Sequence, residues 1–157
     1  MSSDWILSRF AVLRHFLDRS AGVPDHFDLL VFDPEREGLE FPVQCWRLPD
    51  WPFRTPRVAR RIQPHRARWL DAVAEELSGN RGYVERVCGG DCHLLRCSPE
   101  AWHLRVLLDD TSNSPWPDMA NIKSLEVLLE KRQPGGGEQS ADDWMASMRA
   151  IKSDPPG

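Results

Sequence analysis

The stretch WILSRFAVLRHFLDR, residues 5–19, sets how the rest of the chain is read. Ile6, Phe10, Leu13 and Leu17 recur at the spacing that lines one face of a helix. Ser3 stands where a cap belongs, and Gly22 with Pro24 supplies a stop. Asp4, Arg9 and Arg14 interrupt the apolar pattern, which leaves no hydrophobic run of the kind a secretion signal needs. Read as a helix, this stretch makes the protein α+β, because strand-like segments follow it.

FDLLVFD (27–33) and LEFPVQCWR (39–47) flank the turn PEREG and predict a hairpin, with Pro42 placing its second strand at an edge. LPDWPFRTP (48–56) holds three prolines and is a loop, and RVARRI (57–62) reads as a third strand. The clearest helical stripe is in HRARWLDAVAEELSGN (65–80), where Trp69, Leu70, Val73, Ala74 and Leu77 share a face and Gly79-Asn80 closes it. Segments 83–88, 92–97 and 102–108 predict a meander. In the last of them Trp102, Leu104, Val106 and Leu108 alternate with His103 and Arg105. Another helix is expected over 119–132, from Met119, Ile122, Leu125 and Leu128.

QPGGGEQS then reads as a flexible linker. Beyond it Ser140 and Asp143 have capping-box spacing, and Trp144, Met145, Met148 and Ile151 fall on one helical face. The expected fold is therefore α+β: an antiparallel sheet with helices packed on one face, plus a flexibly tethered C-terminal helix. The expected division is a single domain over 1–133 and a linker with a short amphipathic tail helix over 134–157.

The chain has 157 residues and a net charge of −4, and no segment approaches the roughly 18 apolar residues of a membrane span. These features point to a cytoplasmic protein with reduced thiols. Arginine outnumbers lysine 17 to 3, a bias that a GC-rich bacterial genome produces. The charge is uneven: residues 54–68 hold Arg54, Arg57, Arg60, Arg61, Arg66 and Arg68 and no acid, within an otherwise acidic chain.

Three of the four cysteines and a histidine crowd into GYVERVCGGDCHLLRC (82–97). Cys88-x3-Cys92 and His93-x3-Cys97 have zinc-like spacing. If Gly89-Gly90-Asp91 turns a hairpin, Cys88 and Cys92 face one side while His93 and Cys97 face the other, and four ligands on two faces cannot form one tetrahedron. Hence no metal and no cofactor is assigned. The acids Asp28, Asp33, Glu35 and Glu40 around the first hairpin suggest a small metal-dependent enzyme only as a third reading, because no catalytic motif accompanies them.

The leading expectation is a small cytosolic non-enzymatic factor of the immunity, antitoxin or chaperone kind. It would bind and neutralise or escort another protein, of the toxin or secreted-effector class. Trp51, Trp116, Trp144, Met145, Met148 and Ile151 are its expected contact residues, since buried aromatic and Met anchors carry most helix-in-groove contacts. The alternative is a nucleic-acid-binding accessory protein that uses the arginines of 54–68.

Overall fold

Residues 6–16 form a strand rather than a helix, and the architecture follows from that. The computed structural model describes residues 5–18, 24–77, 81–107, 122–132 and 143–152. β1 (Ile6–Phe16), β2 (His26–Phe32), β3 (Val43–Leu48) and β4 (Arg57–His65) make one antiparallel meander. β6 (Tyr83–Cys97), β7 (Ala101–Leu107), β8 (Ile122–Lys131) and β9 (Asp143–Lys152) make a second. Between them, the short β5 (Ala74–Glu76) lies on the start of β6.

The meanders join along two seams, β1 against β6 from Ile6/Leu94 to Phe16/Tyr83, and β4 against β9 from Arg57/Ala146 to Arg60/Asp143. The sheet thus closes into an eight-stranded antiparallel barrel, with β5 outside the ring. Closure removes the open edges that would otherwise template aggregation.

A barrel of eight strands has an interior just wide enough for side chains to fill. Here three tryptophans fill much of it. The Trp46 ring meets Trp102 at 5.3 Å and Trp144 at 5.7 Å between centroids, both edge-on. Phe10, Val12, Leu29, Val31, Leu104, Val106, Leu125, Val127 and Leu129 pack around them. Trp51 and Phe53, from the loop between β3 and β4, fold into the same cluster.

A second apolar layer lies outside the wall. The segment leaving β4 forms a 3₁₀ turn (Ala67–Asp71) and β5, and it crosses over the outer face of β1–β3. Leu70 packs there against Ala11, Leu13, Leu30, Val43, Cys45 and Val84. Arg86 fixes the crossing: its Nη1 donates to the Leu70 carbonyl at 2.7 Å, and its backbone N–H donates to the Val73 carbonyl at 2.7 Å.

Sequence expectation and structure part at several places. Among the described residues there is no α-helix, so the α+β class with helices on one face is corrected to a closed all-β barrel. β1 looks helical because both its faces are buried, Phe10 and Val12 in the barrel and Ala11 and Leu13 under the crossing segment. Two-sided burial erases the alternation that marks a strand. The stripe in 65–80 becomes a 3₁₀ turn and three residues of strand, because Leu70 and Ala72 are buried against the wall while Val73 is left exposed.

The helix expected over 119–132 is β8, with Leu125, Val127 and Leu129 inward and Glu126, Leu128 and Glu130 on the other side. The tethered C-terminal helix is β9, which hydrogen-bonds to both β4 and β8. Its linker lies outside the described residues. The cysteine hairpin is also corrected: β6 runs unbroken through Gly89 and Gly90, opposite Ala11 and Phe10. Arg86 occupies the space that a side chain at Gly89 would need. β2, β3, β4 and β7 do lie where strands are expected, although β3 is paired on both sides and Pro42 precedes it.

Candidate functional site

A cavity of about 1090 Å³ runs from the outer face of β1–β4, under the crossing segment, to the end of the barrel, where Arg61, Pro99, Lys131 and Trp144 line it. Its floor is apolar, made by Leu13, Leu30, Ile62, Leu77 and Val84 with the edge of Trp69. Its rim is cationic. Arg47 comes from β3, Arg60 and Arg61 from β4, Arg66 and Arg68 from the crossing segment, Arg81 from just before β6, and Lys131 from the end of β8. Among the described residues, Asp28 is the sole carboxylate in the lining.

Several rim cations are held by acids of the same chain. Arg47 Nε reaches Asp28 Oδ1 at 3.4 Å, Arg66 Nη2 donates to Glu40 at 2.6 Å, and Arg68 Nη1 donates to Glu75 at 3.1 Å. Seven cations thus line the cavity, and these three carboxylates pair with three of them. Arg60 lies in register between Arg47 and Asp143, and among the described residues neither it nor Lys131 makes a side-chain ion pair. Arg47 and Arg60 face each other across β3 and β4, flanked by Asp28 on β2 and Asp143 on β9.

Three of the arginines lie over aromatic rings. Arg68 sits 4.1 Å from the Trp69 ring centroid and Arg66 5.0 Å from that of Phe41. Arg61, at the lip of the barrel, is 5.3 Å from Trp144 and 5.5 Å from Trp46. Such stacking holds a guanidinium plane in a fixed orientation.

A buried polar chain sets the Arg81 corner. His15, 8% exposed, places Nε2 at 2.7 Å from the Arg81 carbonyl and Nδ1 at 2.9 Å from His26 Nε2. Since a carbonyl only accepts, His15 Nε2 donates there, and its Nδ1 shares a second hydrogen bond with His26 Nε2. Gly82 follows with φ +100, and a side chain on it would strike the Phe16 carbonyl. The corner therefore requires glycine.

Four of the six arginines singled out in the sequence, Arg60, Arg61, Arg66 and Arg68, converge on the cavity. Arg57 instead pairs with Asp50 at 3.0 Å, and Arg54 is exposed away from the cavity lining. Arg47, Arg81 and Lys131 escaped the sequence reading because each stands alone in its segment and only strand pairing gathers them.

The expected protein-contact residues are differently placed. Trp51 and Trp144 are 6% and 1% exposed in the barrel core. Met148 packs against that core, while Met145 and Ile151 alternate with it on the outer side of β9. Trp116 lies outside the described residues.

The cysteines and acids do not gather. Cys88 and Cys92 face the barrel interior, and His93 stacks outside against Trp5. Burial, then Asp91, pushes the Cys92 thiol up to about 12, and burial, then Asp33 and Glu35, pushes Cys97 up to about 11. Burial also raises Cys45. Asp33 caps the 3₁₀ turn at Pro34–Arg36 and accepts from Gln44, and Glu40 pairs with Arg66. Among the described residues no three His, Cys, Asp or Glu side chains are placed to hold a metal ion.

On the opposite wall, Glu126 accepts from His103 at 2.7 Å and from Arg149. Burial pushes its carboxyl up, but those two hydrogen bonds outweigh burial and hold it below the usual carboxylate range.

Fold and site together define a closed antiparallel β-barrel with a cationic groove on its outer wall. No family model and no curated protein matches the chain. Among the described residues, no helix is long and apolar enough to cross a membrane.

Proposed function

We propose that this chain is a binding protein that holds a polyanionic partner in the groove between the β1–β4 wall and the crossing segment. The supporting observation is the gathering of seven cations and, among the described residues, one carboxylate in the lining of a single cavity, in a chain whose own net charge is −4. A cationic, low-dielectric cleft focuses its field and raises the local concentration of anions. The expectation of a protein-escorting factor rests on Trp51, Trp116, Trp144 and a tail helix. With Trp51 and Trp144 in the core and the helix replaced by β9, the groove is the better-supported recognition surface.

The test is binding of two labelled polyanions, an oligothymidylate and poly-L-glutamate, followed by fluorescence anisotropy. Affinity should fall steeply between about 50 and 200 mM salt. The double substitution Arg60→Gln with Lys131→Gln should flatten the oligothymidylate salt slope by roughly 1.4, because each single-strand contact contributes about 0.7. If neither polyanion binds at low salt, or the double variant keeps the full slope, the groove is not the binding surface.

A further inference from the structure

We infer that the polyanion is a single-stranded nucleic acid, and that the planes of Arg66 and Arg68 are its base-stacking platforms. This rests on the groove being the binding surface. Phosphate charge alone would not distinguish a nucleic acid from an acidic peptide, since both satisfy a cationic rim. The stacked guanidiniums do distinguish them, because a carboxylate side chain has no use for a flat π-surface and a base does.

Each platform is built in layers. Phe41 lies beneath Arg66 and Trp69 beneath Arg68, at 5.0 and 4.1 Å. Glu40 and Glu75 hold the guanidinium edges through hydrogen bonds of 2.6 and 3.1 Å. Guanidinium N–H donors lie in the guanidinium plane, so these bonds fix that plane while leaving its outer face free. The Arg66 and Arg68 side chains are 55% and 58% exposed, consistent with one covered face and one open face. Unstacked bases settle on aromatic or arginine planes of this kind.

The shape selects the strand state. Duplex DNA is read by an element that protrudes into its groove, whereas this site is a recess in a barrel wall with an apolar floor. A recess suits an extended single strand, whose backbone tracks the cations while its bases turn inward. Arg60 and Lys131 are then the backbone contacts, carrying no side-chain ion pair among the described residues.

The decisive variant is Arg66→Lys with Arg68→Lys, which keeps both charges and removes both planes. An oligothymidylate of about 16 nucleotides, the hairpin duplex of equal charge, and poly-L-glutamate are titrated against the full chain. The single strand should bind at least tenfold more tightly than either competitor. The double lysine variant should lose about tenfold or more for the single strand with its salt slope unchanged, and should bind poly-L-glutamate as the parent does. An unchanged thermal midpoint confirms that the variant is folded, and Phe41→Leu, which removes one supporting ring, gives a second reading in the same direction.

Equal affinity for poly-L-glutamate would overturn the nucleic-acid assignment and leave an acidic polypeptide in the groove. Equal affinity for the duplex, or full single-strand affinity in the double lysine variant, would overturn it as well. Failure of the groove itself reads differently, as no binding of any probe or indifference to Arg60→Gln with Lys131→Gln.

Discussion

Trp144→Ala discriminates between the two ways of folding the C-terminal segment. A helix sets Trp144 and Met145 on one face, whereas a strand sets them on opposite faces. In the barrel Trp144 is 1% exposed, edge-on to Trp46 at 5.7 Å and under the Arg61 guanidinium at 5.3 Å. An aromatic side chain buries about 150–250 Å², and at roughly 25 cal/mol per Å² that is about 4–6 kcal/mol of transfer free energy. Alanine retains part of that area and leaves a cavity, so a loss of about 4 kcal/mol is expected, within the range of measured Trp→Ala changes in cores. Domains are stable by about 5–15 kcal/mol, so this loss is a large fraction of the total and should lower the urea midpoint markedly. Met145, on the outer side of β9, should cost less than about 1.5 kcal/mol when changed to alanine. Urea denaturation followed by far-ultraviolet circular dichroism gives both values. Similar losses at the two positions, or a Trp144→Ala loss below about 1 kcal/mol, would refute the strand placement.

Truncation at Gln133 should abolish the cooperative unfolding transition, because it removes the strand that joins β4 to β8 and so opens the barrel. Glu126→Gln should cost about 1 kcal/mol at neutral pH, modest because Arg149 is 76% exposed. The Glu126 carboxyl is held below its ordinary value of 4.5 in the folded state. Its contribution is therefore complete above that value and fades as pH falls through the folded one, so parent and variant should converge in acid denaturation. Cys92 and Cys97, raised to about 12 and 11, should resist alkylation at pH values where a free cysteine peptide reacts. Cys97, the more exposed, should react first once the solution is alkaline, and rapid labelling of Cys92 in the folded protein would contradict its place in the barrel.

The sequence by itself determined the local facts. Prolines and the PEREG turn marked the first hairpin, the alternation in 102–108 marked β7, and the cluster at 54–68 marked the arginines that dominate the groove. It misjudged the segments whose periodicity depends on what covers them. β1 carries apolar residues on both faces because the crossing segment covers its outside, and a doubly buried strand shows no period of two. β9 is read as a helix because Met145 and Ile151, on its outer side, complete a helical stripe with Trp144 and Met148 from its inner side. Only the tertiary structure decided closure, since the pairing of β1 with β6 and β4 with β9 joins residues tens of positions apart. The groove follows from closure. Arg47, Arg81 and Lys131 lie outside the arginine island in the chain, and the closed sheet carries them to its rim. Tertiary pairing also set the core: Trp46 meets Trp102 and Trp144 inside the barrel because β3 faces β7 across its axis and β9 lies between them in the ring, a relation that no window of local sequence contains.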